Sequence, residues 1–299
     1  MFRNVLVGVG DHDDGRDAIA LAQMLLGRDG ELTLAHVYHE EPLGPYRWTD
    51  TNVGEDREHA RELLERAARE AGLQAHIRWR GDTSVGRGLH EIAEIIDADL
   101  LVVGSSRRGL LGRAALGHDT RAALNGAPCA IAIAPVGHGS EPPAPIREIG
   151  VGYDGSPESE HAVGVARGLA EELGSKLSAF QAVSIPAYIY IGAPDRVEAS
   201  AIDRVVALAR ERIAALGGVE PHAAYGDAVE ELTLYSASLD LLVVGSRSYG
   251  PLGRLVHGST AQQLAGTARC PLLVLTRGAR KSAELAGSDN RQGKTATVA

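Results

Sequence analysis

The feature that most constrains this chain is a passage that occurs twice: Gly104-Ser-Ser-Arg-Arg-Gly-Leu-Leu-Gly-Arg-Ala-Ala-Leu-Gly117 and Gly245-Ser-Arg-Ser-Tyr-Gly-Pro-Leu-Gly-Arg-Leu-Val-His-Gly258. Glycines, a serine, a leucine and an arginine recur at one constant offset, which also carries Cys129 onto Cys270. The chain is a tandem duplication. Each passage follows an apolar run, Asp99-Leu-Leu-Val-Val-Gly104 and Asp240-Leu-Leu-Val-Val-Gly245. A buried strand of parallel type therefore feeds a glycine-rich turn that leads into a helix. Such a turn suits phosphate, because glycine lets backbone N–H groups approach an anion and the helix N-terminus adds a favourable dipole.

Two equal repeats in 299 residues make two domains of roughly 140–150 residues, near the commonest domain size. The predicted division is 1–137, a linker at 138–146, 147–277, and a polar tail at 278–299 that lacks periodicity and is expected to be disordered. The linker, Val136-Gly-His-Gly-Ser-Glu-Pro-Pro-Ala-Pro145, has polyproline character. A net charge of −9 without a Lys/Arg cluster argues against nucleic acid. Two cysteines at equivalent places read as packing residues in a reducing compartment. The opening Met1-Phe-Arg-Asn-Val-Leu-Val enters a strand without a charged leader. Apolar runs fall short of the about 20 residues a span needs. A cytoplasmic location away from membranes is expected.

Strands and helices alternate in both halves, which predicts a parallel sheet covered on both faces. The first half is predicted as strand 4–9, helix 17–26, strand 32–38, helix 55–71, strand 75–79, helix 85–97, strand 100–103, helix 120–125 and strand 130–134. The second is predicted as strand 148–153, helix 160–173, strand 176–183, helix 196–216, strand 219–224, helix 228–238, strand 241–244, helix 261–266 and strand 272–276. Ligands of open parallel sheets bind beyond the carboxyl ends of the strands. Both glycine turns sit at such an end, as do Gly8-Val-Gly-Asp-His-Asp-Asp-Gly15 and Gly152-Tyr-Asp-Gly-Ser-Pro157.

At these residues the chain resembles the universal stress protein family, as a tandem member. Gly150-Val-Gly-Tyr-Asp-Gly-Ser-Pro-Glu-Ser159 matches the family's opening strand and Ala268-Arg-Cys-Pro-Leu-Leu-Val-Leu275 its closing one. The resemblance implies an α/β fold of two tandem open five-stranded parallel sheets in the order 3-2-1-4-5. It also implies pairing through the closing strands, 130–134 and 272–276, as an intramolecular pseudo-dimer that could associate into a homodimer. The family's ATP-binding pattern is Gly, two residues, Gly, nine residues, Gly and then Ser or Thr. The second half supplies Gly245, Ser248 in place of the second Gly, Gly258 and Ser259; the first supplies Gly104, Arg107, Gly117 and His118. The Asp that ends the first strand is Asp154, against Gly10 with Asp11 one residue later.

The resemblance implies that Asp154, just past Gly152, holds the ribose and that backbone near Ala182 contacts adenine. Phosphates would be cradled by Val244, Gly245, Arg247, Ser248 and Gly250 with Gly258, Ser259 and Thr260. The first-half equivalents Gly10, Asp11, Val37, Gly104, Arg107, Gly109, Gly117 and His118 form a degenerate site. If position 248 needs positive φ, serine there costs roughly 1–2 kcal/mol, about tenfold in affinity.

Blander readings stand beside these. Glycine turns also serve as plain connections, and Asp154 also suits a turn before a helix. Asp11-His-Asp-Asp14 suits a helix dipole rather than a metal. Gly8 to Gly15, with Glu40, misses the dinucleotide spacing by one residue. His36, His118 and His257 lack a partner at recognisable spacing, and Arg113 and Arg254 face either phosphate or solvent. Neither a nucleophile elbow nor a Walker lysine occurs. The expected function is an ATP-binding stress sensor or regulator, with possible Mg2+ and an unidentified regulatory protein partner. The alternatives are a protein-interaction scaffold that has lost the nucleotide and a slow ATP hydrolase.

Overall fold

The computed structural model describes residues 1–10, 14–40, 51–105, 117–140, 144–184, 199–246 and 260–275. The chain divides into two compact units whose main bodies are Met1–Pro143 and Ala144–Gly245. The first half runs β1 (Phe2–Gly8), α1 (Asp14–Leu25), β2 (Leu26–His39), α2 (Thr51–Glu70), β3 (His76–Asp82), α3 (Val85–Ile95), β4 (Leu100–Gly104), α4 (His118–Leu124) and β5 (Ala130–Ala134). The second runs β6 (Glu148–Gly152), α5 (Pro157–Leu173), β7 (Lys176–Val183), α6 (Ala199–Ala214), β8 (Glu220–Tyr225), α7 (Ala228–Tyr235), β9 (Leu241–Gly245), α8 (Thr260–Thr267) and β10 (Leu272–Leu275).

Strand order is β3-β2-β1-β4-β5 in the first half and β8-β7-β6-β9-β10 in the second, which is 3-2-1-4-5 twice. The pairs β1–β2, β1–β4, β2–β3 and β4–β5 are parallel, and so are β6–β7, β6–β9 and β7–β8. Between β9 and β10, Leu242 N–H donates to the Pro271 carbonyl and Ser246 N–H to that of Leu275, an ascending register. The middles of the central strands are buried, with Val5, Leu6, Leu100, Leu101 and Ile131 in one core and Ile149, Val151, Leu241, Leu242 and Leu273 in the other. Helices on both faces leave these strands nowhere to place a polar residue, hence their unbroken apolar runs.

Among the boundaries that differ from the sequence expectation, three have a clear physical reason. α1 passes directly into β2 at Leu26, because the β1–β2 register slips between Phe2 and Asn4. Gly27 and Gly30 allow this: a Cβ on either would come within 3.1 Å of the Phe2 or Arg3 carbonyl. α5 starts at Pro157, ahead of the expected residue 160, since Pro suits N1 and Ser156 caps the helix by accepting the Ser159 N–H. The start of the expected polyproline segment folds instead as a 3-10 turn, His138–Ser140. Gly137 takes a φ of 87° there, and the buried Asp17 carboxylate accepts the N–H groups of Gly137 and Gly139 at 2.8 and 2.6 Å. The tail expected at 278–299 lies outside the described residues.

Candidate functional site at the carboxyl edge of the second sheet

Three strand ends meet at one edge of the second half. Gly152, the last residue of β6, is in register with Val244 of β9, and the next N–H, that of Tyr153, donates to the Phe180 carbonyl of β7 at 2.9 Å. Asp154 therefore emerges between the ends of β7 and β9. It is exposed, and its Oδ1 accepts the Ser156 N–H at 2.9 Å. Gly155 turns the chain with a φ of 77°, a conformation in which a side chain is strained. The turn is thus fixed locally, by Gly155 and by the Asp154 carboxylate.

Gly245 lies beside this turn. A Cβ there would come within 2.5 Å of the Glu158 carbonyl, so the first turn of α5 packs on the bare backbone at the end of β9. Packing alone explains this glycine. Val244 is buried, Ala182 is half-buried opposite Ala224 on β8, and Thr260 is half-buried as the first residue of α8. Arg247, Ser248, Gly250, Gly258 and Ser259 lie outside the described residues, as do Arg254 and His257.

The first half keeps the frame and changes the groups. Gly10 is exposed after β1 with open space around it, Val37 is buried on β2, and Gly104 closes β4. The Thr120 hydroxyl of α4 donates to the Gly104 carbonyl at 2.8 Å. Gly117 is the half-buried N-cap residue of α4 and His118 is exposed in its first turn. Asp11, Arg107, Gly109 and Arg113 lie outside the described residues. His36 is a core histidine: it is buried and its Nδ1 is 2.8 Å from the Val9 carbonyl. Among the described residues no group of three or more His, Cys, Asp or Glu side chains is arranged to hold a metal.

Two residues that the sequence reading did not single out stand at the second-half edge. Ser246, next to Gly245, is buried, and its Oγ has no hydrogen-bond partner. Its recurrence as Ser105 was a visible signal. Arg212 reaches across from α6 to the Gln181 side chain at 3.3 Å, and its Cδ lies 3.9 Å from the Cβ position of Gly155. Burial pushes the nearby Tyr153 phenol up, with Glu160 adding to the shift and Arg212 opposing it. Nothing in the helical spacing of α6 marks Arg212, because its position depends on how α6 packs on β7.

Two parallel sheets of order 3-2-1-4-5, each with strand-to-helix turns at its carboxyl edge, define a tandem α/β protein whose fold offers that edge to ligands. The chain belongs to the universal stress protein family, whose sequence profile matches residues 1–135 and 145–276. Universal stress proteins of Mycobacterium tuberculosis and Mycobacterium bovis are each 27% identical to it over 263 residues, covering 83% of this chain and 88% of theirs. Among solved structures, a universal stress protein from Archaeoglobus fulgidus matches with a TM-score of 0.66 at 17% identity, covering 92% of this chain and 98% of that one. A putative universal stress protein from Pseudomonas aeruginosa matches with a TM-score of 0.61 at 21% identity, covering 96% and 98%. Among the described residues no helix is long and apolar enough to cross a membrane.

Proposed function

We propose that this universal stress protein binds an adenine nucleotide, ATP in the first instance, at the carboxyl edge of its second sheet and acts as a stress-response sensor or regulator rather than a metabolic enzyme. The observation that carries this reading is the exposed Asp154 carboxylate, set between the ends of β7 and β9, where the first half has Gly10. A carboxylate accepts two hydrogen bonds, which suits a pair of ribose hydroxyls. Adenine would lie against backbone near Ala182. The phosphates, with Mg2+ as counter-ion, would take the N–H groups of the segment after Gly245, of Ser259 and of Thr260 at the start of α8. No general base is assigned, and a phosphate cradle without one binds better than it hydrolyses.

Calorimetric titration of Mg-ATP into the full chain tests this. The expected result is one saturable site, weakened at least tenfold by Asp154→Ala and lost in Gly258→Asp, which puts bulk and negative charge in the cradle. Absence of heat at millimolar nucleotide, with no rise in the thermal midpoint, would overturn the reading and favour a protein-interaction scaffold. Steady turnover that requires Mg2+ and disappears in Asp154→Ala would instead make the protein a slow ATP hydrolase.

A further inference from the structure

The 3-10 turn His138–Ser140, which follows β5, holds a histidine that the proposed nucleotide site does not use. The turn packs on α1, and the approach is close: a Cβ on Gly139 would come within 2.7 Å of the Arg16 carbonyl. Asp17 pins it there, its two carboxylate oxygens accepting the Gly137 and Gly139 N–H groups. Within the turn, His138 N–H donates to the Pro135 carbonyl and Ser140 N–H to that of Gly137. The charged residues in the facing first turn of α1 are Asp14, Arg16 and Asp17. The exposed Arg16 guanidinium pairs with Glu70 of α2 at 3.6 Å.

His138 is half-buried, yet its ring Nε2 is shut off from solvent and has no hydrogen-bond partner. A neutral ring can leave that nitrogen bare. A charged ring cannot: both nitrogens then carry N–H, and Nε2 becomes a buried cationic donor without an acceptor, a costly state. The surroundings do not offset this cost. Burial pushes the imidazole below its ordinary value, and the Asp17 carboxylate pulls it back only in part, since both Asp17 oxygens are already taken by the turn. The positive end of the α1 dipole lies on the same side and also disfavours a cation.

We propose that His138 is an acid-sensitive latch: when its ring takes up a proton, the turn lifts off α1 and frees the start of the segment that joins the two halves. In the open turn the ring is solvated and takes its proton near the ordinary value of about 6.5. The closed turn takes it at lower pH. Closure is therefore at full strength above about pH 6.5 and weakens as pH falls, by up to about tenfold per unit, until the closed ring itself titrates. The latch involves neither Asp154 nor the glycine turns, so the input it gives is separate from nucleotide.

The test is amide exchange of the full chain between pH 7.5 and 5, corrected for the intrinsic rate at each pH. It is accompanied by an NMR titration of the histidine rings, in which the His138 signal is assigned by its loss in His138→Gln. The expected result is a His138 ring that titrates below about 6.5. Protection at Gly137 and Gly139 should fall by about threefold or more over the range while β1 and β4 stay protected. His138→Gln keeps a polar side chain and His138→Phe an uncharged ring, and both remove the titration. In each, protection of the turn should be level with pH, even where the turn starts looser. Wild-type protection that stays level while the ring titrates, a ring that titrates at or above the ordinary value, or the same acid loss in both variants would each overturn the proposal.

Discussion

Gly245 shows how a glycine that invites a ligand reading can be explained by packing. The glycine turn invites a phosphate reading, yet the contact on the page is with the Glu158 carbonyl of α5, 2.5 Å from any Cβ placed there. Gly245→Ala must push α5 away from β9, and overpacking of this kind costs about 1–3 kcal/mol. Urea unfolding should show a lower midpoint at an unchanged m value, with or without nucleotide; an unchanged midpoint would mean that the helix moves freely. Asp99 and Asp240 are a second case. Each opens an apolar strand and accepts two N–H groups from the start of its neighbour, those of Arg3 and Asn4 at 2.7 and 3.0 Å and those of Arg147 and Glu148 at 2.7 and 3.0 Å. The duplicated Asp is a structural clamp on β1 and β6. Asp99→Ala should cost about 2 kcal/mol through the two N–H groups left without an acceptor, read as a loss of thermal stability that Asp99→Asn partly restores.

At the level of elements, the 3-10 turn at His138–Ser140 depends on a side chain far away in sequence. Asp17 of α1 is 6% exposed and accepts two backbone N–H groups of this turn. Asp17→Ala should therefore release it: amide exchange at Gly137 and Gly139 should quicken by at least tenfold while exchange in β1 and β4 stays slow. Uniform slowing or quickening across the sheet would contradict a local anchor. This anchor was not legible in the sequence, because a Gly-His-Gly-Ser run beside prolines carries the local signals of a loop and its partner is more than a hundred residues away. The regular elements were legible, since strands buried on both faces must be apolar throughout and the amphipathic helices between them must not. The early start of β2 was not, because a register slip breaks the alternation on which strand recognition depends. At the candidate site, Gly245 stood out through the repeat and Asp154 through the family resemblance, whereas Arg212 takes its place only when α6 packs on its sheet.

The duplication also sets a property of the whole molecule, its response to alkali. Cys129 and Cys270 occupy the same place in each half, both buried, and burial pushes each thiol up to about 12. Tyr235 is pushed to about 12 as well, mainly by burial and against the pull of its hydrogen bond with Ser178. A group whose pKa is higher in the folded state contributes stability that is intact below its unfolded value and is lost as pH rises toward the folded value. For a thiol the unfolded value is about 8.5, so stability should be level to about pH 8.5 and then fall. The slope should approach 1.4 kcal/mol per pH unit for each thiol, on the order of 3 for the pair, with Tyr235 joining above about pH 10. Because one thiol sits in each half, neither half should act as an alkali-resistant core. Denaturant unfolding at pH 8, 9.5 and 10.5 measures this. The Cys129→Ala, Cys270→Ala double variant should be less stable at pH 8 through lost packing, yet lose less between pH 8 and 10.5 than the unaltered chain. The same burial should keep both thiols unreactive toward a disulfide reagent at pH 8 until denaturant is added, when two should react. A double variant with the original alkaline slope would assign the effect to other groups.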